Sequence, residues 1–481
     1  MRLIPIYTWN RGLKSFDIRR RRFIDQPWAP GVTLIVCVII AMLLANLPFT
    51  KELYKSFLET DISIHVKSPV NPETGVSDIQ FFFPKNMNVE KFINDILMVI
   101  FFFTVGLEIK REIVCGELSS FKKAILPVIA AAGGMAVPAL FYAIFNIGTE
   151  AASGWGIPTA TDIAFAIGIM SILGDKVPVS LKIFLTALAI ADDLGAILVV
   201  AIFYGGDINL PLLGIALLLV ALVYIQNRLG EKRMLCYLVP AVVIWILFYY
   251  SGVHSTMSGV VMAMLIPMEA RYNRAYFDRK RKQYQNRIAK LDFLEKESEE
   301  PFPNGAQRHC LRRLSVVSKG SIGMSYRLEH ALNPYINYLI MPIFALANAG
   351  VEIPDLSYFN IFQYSPELGS VGMGVFFGLL LGKPIGITIA SFIAIKAKVG
   401  VMPSNATWKM LFAVACLGGI GFTMSIFVDT LSFAGPDIPA EVTQHLRDAG
   451  KIAVLMGSLC AGILGSILIT FVHKIQARKA A

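Results

Sequence analysis

The sequence predicts an all-α polytopic membrane protein with about twelve transmembrane helices. Composition is the first reason: 55% of residues are hydrophobic and 16% charged, with a mean hydropathy of +0.60. Soluble domains carry roughly 25% charged residues. The second is a series of apolar runs suited to crossing ~30 Å of hydrocarbon. They lie near 31–48, 92–107, 124–147, 159–173, 180–204, 211–225, 235–250, 253–269, 334–350, 371–395, 409–428 and 451–473. The third is positive charge confined to alternate loops. Spanning backbone must satisfy its own hydrogen bonds, and these runs are too long for barrel strands, so each reads as a helix.

Taken in order, Arg19 to Arg22 precede the first span, which lacks an A-x-A cleavage site and reads as a retained helix. Further positive groups are Lys110, Arg111, Lys122 and Lys123, then Lys176 and Lys182, then Arg228, Lys232 and Arg233. Lys396 and Lys398 follow, and Lys474, Arg478 and Lys479 close the series. Loops 148–158, 205–211 and 351–370 hold no Lys or Arg. The positive-inside rule then puts both termini in the cytoplasm, as an even number of spans requires. The net charge of +10 belongs to this pattern beside a lipid bilayer and does not read as a nucleic-acid footprint. The six cysteines show no C-x-x-C spacing, so neither a disulfide nor a resident metal is expected, and no cofactor.

The spans form one transmembrane domain, 1–475, with two inserts. Residues 51–90, expected outside, contain the alternating stretches "DISIHV" and "SDIQFFF" around "PVNPETG", the pattern of a hairpin. Such a hairpin can pair with its twin in a homodimer or form a solvated flap. Residues 271–327, expected in the cytoplasm, carry fourteen Lys or Arg against six Asp or Glu, a charged loop.

Two spans look interrupted. The short fourth opens "GIPTATDIAFAIG", with Pro158 at its head, and the eleventh carries Gly418, Gly419 and Gly421 in "CLGGIGFTMSIF". Each is the middle member of a three-helix group. The odd spacing between those groups inverts one relative to the other, as in transporters built from inverted repeats with two broken, crossing helices.

The chemistry sits in "ALAIADDLGAILVV" (187–200), where Asp192 and Asp193 lie about 18 Å along the span, close to the bilayer midplane. Each mid-membrane charge costs about 2.5–3.5 kcal/mol, so Asp162, Asp192, Asp193 and Lys383 together cost about 10–14 kcal/mol before pairing. A structural salt bridge from Lys383 accounts for one acid and leaves two. Neighbouring helix positions differ by about 100° in direction, so one aspartate can face a cavity while the other meets a partner. Carboxylate oxygens suit hard cations, and burial disfavours their charge while an arriving cation favours it. Na+ and protons can therefore take turns on the same oxygens.

With those residues in hand, the stretches "GWGIPTATDIAFAIG", "ALAIADDLGAI", "SGVHSTMSGV", "LIMPIFALANAGV", "LLLGKPIGI", "LGGIGFTMSIF" and "FFFTVGLEIKREIVCGEL" resemble, in the same order, those of the NhaA family of bacterial sodium/proton antiporters. The resemblance covers about 25–475 apart from the inserts. It implies a multi-pass protein of the bacterial inner membrane that exchanges one Na+ or Li+ for two protons. It implies Asp193 as principal cation ligand, with Asp192 as second ligand or proton carrier. Lys383 would pair with Asp192 and offset the negative half-helix ends, and Asp162 the positive ends, with Thr161 a further ligand. Glu108, Lys110, Arg111, Glu112, Glu329 and His330 match the family's pH-response cluster, although Asn333 stands where family members have a second histidine. His254 sits at an outer helix end, where capping or packing is an equally good reading. The 51–90 insert occupies the place of the family's dimer-forming hairpin.

Two other functions were open. An intramembrane aspartyl protease needs two acids around one water, but adjacent Asp192 has no part in that, and an ammonium at Lys383 opposes a shared proton. A sodium-coupled symporter of an organic anion needs an anion site, for which no residues present themselves.

Overall fold

The computed structural model describes residues 26–62, 64–67, 80–83, 87–206, 208–294, 305–353, 361–362, 368–404, 406–433 and 439–480. The basic run Arg19 to Arg22 and the expected turn "PVNPETG" lie outside them. Each of the twelve apolar runs holds helix. In chain order the helices are α1 (Ala29–Asn46), α2 (Lys51–Glu59), α3 (Val89–Cys115), α4 (Phe121–Asn146), α5 (Ile163–Leu173) and α6 (Val179–Phe203). Next come α7 (Leu210–Arg228), α8 (Leu235–Ser251), α9 (Thr256–Leu265), α10 (Arg274–Leu294), α11 (Gly305–Gly320) and α12 (Met324–Tyr335). The last are α13 (Met341–Asn348), α14 (Val371–Lys396), α15 (Trp408–Gly418), α16 (Phe422–Ser432) and α17 (Ala440–Ala480). Among the described residues, eight helices are long and apolar enough to cross a membrane, nine if the bent pair α15–α16 is one span.

The 51–90 insert holds two strands, one in each of the alternating stretches. Strands β1 (Ile64–Lys67) and β2 (Gln80–Phe83) run antiparallel, with Ile64 opposite Phe83 and Lys67 opposite Gln80. It also contains α2, which the alternating pattern did not announce. Tyr54 of α2 donates its hydroxyl to Leu346 O at 2.6 Å. Burial pushes that phenol up to about 12, so it stays a neutral donor. Lys51 forms an ion pair with Glu352.

The chain forms two compact units, 1–98 with 112–205 and 336–481, and 99–111 with 206–335. The second unit packs α7, α8 and α9 around Leu107, Val223, Tyr237, Ile244 and Phe248. The charged insert there is largely helical, as α10 and α11.

In the first unit α4 crosses α14 where Gly133 meets Gly386. A Cβ on Gly386 would stand 2.2 Å from Gly133 O, so only hydrogen fits. Lipid gives helices no hydrophobic drive to associate, and small residues that let backbones touch replace it. Within α14, Gly378–Gly382 is a single π turn directly before Lys383 and Pro384. Proline has no N–H and its ring crowds the carbonyl four residues back; a widened turn relieves both and sets Lys383 at the irregularity.

Candidate ion-exchange site

Both interrupted spans are broken. The first runs as a 3₁₀ segment, Glu150–Thr159, then extended backbone at Ala160 to Asp162, then α5. The second breaks between α15 and α16 with a bend of 50°. The breaks bond each other directly: Asp162 N donates to Ile420 O at 2.7 Å, and Thr161 Oγ1 donates to Gly418 O at 2.8 Å. A Cβ on Gly419 would lie 2.3 Å from Leu379 O, so the same glycines that open the helix admit the π turn of α14 beside it.

Broken helices expose unpaired N–H and C=O ends with partial charge. Asp162 meets two N-terminal ends at once. Its Oδ1 accepts from Phe165 N at 3.2 Å in the first turn of α5, and its Oδ2 from Thr423 N at 3.3 Å in the first turn of α16. Thr423 Oγ1 also donates to Oδ2. Ser458 of α17 completes the second end, its Oγ accepting from Gly421 N at 3.2 Å and Phe422 N at 3.1 Å.

Lys383 stands on the other side of Thr161. Its ammonium donates to Thr161 Oγ1 and to Asp192 Oδ2, and it is also near enough to Asp193 to feel that charge. Lys383, Asp192, Asp193 and Asp162 are 0%, 1%, 2% and 2% exposed, so water supports none of these charges. Asp192 Oδ1 has no hydrogen-bond partner among the described residues. Thr161 is committed, accepting from Lys383 while donating to Gly418. The arrangement can hold a small cation or a proton against the aspartate pair, with Lys383 balancing charge when neither is there.

The expected pH-response residues fall in both units. In the second unit Arg111 pairs with Glu329 and lies 3.7 Å from Glu108, and Glu329 is buried. Lys110 donates to Met264 O at 2.7 Å and to Ile266 O, covering the C-terminal end of α9. His330 is exposed and stacks on Tyr326. His254 precedes α9, its carbonyl accepting from Met257 N at 3.0 Å. In the first unit Glu112 accepts from Glu117 N at 3.0 Å and caps the turn Glu117–Ser119. Sequence reasoning missed Thr423 and Ser458, whose hydroxyls carry no signal before the fold is known. It also missed Asp429, an acid in the apolar stretch "SIFVDTLSF" just past the expected end of the eleventh span.

Comparison with known proteins identifies the family. The family model Na+/H+ antiporter 1 matches residues 21–469. Relatives named Na(+)/H(+) antiporter NhaA include one from Pelagibacter ubique, 39% identical over 96% of this chain and 100% of the relative. One from Bacteroides thetaiotaomicron is 41% identical over 95% and 98%, and one from Escherichia coli O1:K1 is 36% identical over 92% and 96%. These relatives are antiporters rather than enzymes, and this chain, a multi-pass membrane protein, belongs to the Na+/H+ antiporter 1 family.

Proposed function

We propose that the protein exchanges cytoplasmic Na+, or Li+, for external protons at Asp192 and Asp193. The observation that carries this is Lys383 bonded to Asp192 at the crossing of two broken helices, with one Asp192 oxygen unfilled by protein groups. An incoming cation needs hard oxygens and a local negative charge. Asp193 supplies the charge, and Asp192 joins as its bond to Lys383 lengthens. A cation on the pair expels the protons that neutralise it, so release on one side and loading on the other require a single occupied site. Two acids beside one lysine allow two protons to move for each Na+, which makes exchange electrogenic. The protease reading fails on geometry, because Asp162 gives both oxygens to helix ends.

The positive-flanking pattern supports an inner-membrane protein with both termini cytoplasmic, with α4 to α6 and α14 to α17 built from inverted three-helix repeats. The hairpin of the 51–90 insert offers strand edges for a homodimer. Regulation by pH belongs with Glu329, Arg111, Glu108 and His330, because Lys110 and Glu112 are tied to helix ends.

Everted membrane vesicles test the proposal. Addition of Na+ or Li+ collapses a respiration-driven ΔpH with the native chain, and Asp193→Asn abolishes the response at unchanged expression. Normal Na+-driven proton release from that variant would overturn the assignment.

A further inference from the structure

One buried acid takes no part in the site above. Asp429 lies two turns along α16 from the crossing and is 0% exposed, and neither of its oxygens has a hydrogen-bond partner among the described residues. Buried polar atoms are almost always bonded, and an ionisable group inside a membrane domain is a functional candidate by default. Its setting is charged. Oδ1 lies so close to α17 that a Cβ on Gly450 would stand 1.9 Å from it. Lys451, Arg447 and Asp448 of α17 act on it electrostatically, and Tyr142 and Tyr204 feel its charge in turn. Arg447 Nη2 donates to Thr430 O at 2.8 Å, so the guanidinium also holds the last turn of α16. Tyr142 and Tyr204 give their hydroxyl protons to Ala151 O and Ser153 O, at 2.7 and 2.8 Å, and leave Asp429 without a tyrosine donor.

Residues four apart share a helix face, and Gly421, Ser425 and Asp429 follow that spacing. Ser425 Oγ is buried and likewise has no partner among the described residues. Opposite, Ser458 binds the start of α16 while Lys451 and Arg447 flank its end. A polar seam between α16 and α17 thus runs about 12 Å from the crossing to Asp429. With Asp429 ionised, two acids balance two cations there; with a proton on it, the group carries one net positive charge. Two adjacent cations oppose a metal ion at this carboxylate and leave the proton as the small cation it accepts.

We propose that Asp429 is a second proton-binding group of the exchanger, separate from Asp192 and Asp193, whose protonation weakens the hold of α17 on α16. This rests on the exchange reading above for its role in transport but not for its chemistry. Binding adds one proton from water to a carboxylate oxygen, and release returns it, with no other bond changed.

The test is infrared difference spectroscopy of the purified full chain, titrated from acid to alkaline pH without sodium. Asp429→Asn removes one carbonyl band of a protonated carboxylic acid that the native chain shows at the acid end. Asp429→Glu, which keeps the acid, shifts the band and serves if the asparagine variant does not accumulate. In vesicles, the ratio of variant to native transport falls about threefold or more from acid to alkaline pH, because asparagine mimics only the protonated state. A spectrum unaltered by either substitution overturns the proposal. Failure of exchange itself is distinguished by Asp193→Asn, whose transport tests that reading while the Asp429 band stays in place.

Discussion

At the crossing of the broken helices, Lys383 and Asp192 hold each other and Asp192 Oδ1 has no partner among the described residues. At the end of α3, Lys110 gives its ammonium to two backbone carbonyls and Glu112 takes a backbone N–H. The residue types are alike; the partners differ. A charge that neutralises a helix end contributes modestly to the fold and has no reason to exchange its partner. A charge held in a dry site chiefly by another charge is strongly coupled to it, yet a mobile cation of the same sign can take the place of either member's partner. The kind of partner, and not the place in the sequence, distinguishes these two sets of charges.

The largest effect is expected from Lys383→Met, which leaves Asp192 buried beside no cation and costs about 3–5 kcal/mol. Thermal unfolding of the detergent-solubilised protein measures it, and Na+-dependent transport stops. Adding Asp192→Asn returns most of the stability and none of the transport. If the double variant were no more stable than the single one, the pair would not be the coupled unit described. Next comes Gly386→Ala, which drives a methyl into the Gly133 carbonyl and costs about 1–3 kcal/mol with no charge altered. Partial transport at lowered stability is expected. Complete loss would mean that the α4–α14 contact, and not the charge it positions, limits exchange.

Asp162→Asn sharpens the contrast further. Asparagine keeps one acceptor oxygen and removes the charge facing two helix N-termini, a loss of about 1–2 kcal/mol. Transport is expected to fall about tenfold while the variant still responds to Na+. An inactive but fully stable variant would assign Asp162 to the ion path.

Much of this was legible in the sequence. Asp192, Asp193, Asp162 and Lys383 announced themselves because an isolated charge in an apolar run is expensive whatever the fold around it. The breaks were legible because Pro158 and the Gly418 to Gly421 run cannot continue a helix smoothly. Thr423 and Ser458 were illegible for the opposite reason: a hydroxyl in a membrane helix costs little, and only the crossing brings the Thr423 hydroxyl to the Asp162 carboxylate and Ser458 Oγ to two unpaired N–H groups. Helix α2 escaped notice because nine mixed residues carry too little periodicity to outweigh the alternating strands that follow. Asp429 carried the same signal as Asp192, but the expected span stopped at 428, one residue short of it.

The smallest effect belongs to Lys110→Met, and it discriminates best between sensing and scaffolding. The ammonium at the end of α9 is a helix-end cation, worth about 1 kcal/mol. Its removal lowers unfolding stability by that amount and leaves the pH profile of exchange in place. Glu329→Gln removes the partner of Arg111 from a buried position, so a change in the pH profile is expected there. Vesicle ΔpH measurements across the neutral range compare the two variants directly. A profile displaced by Lys110→Met and unmoved by Glu329→Gln would reverse the assignment, because a cation bound only to backbone carbonyls would then be the group that reports pH.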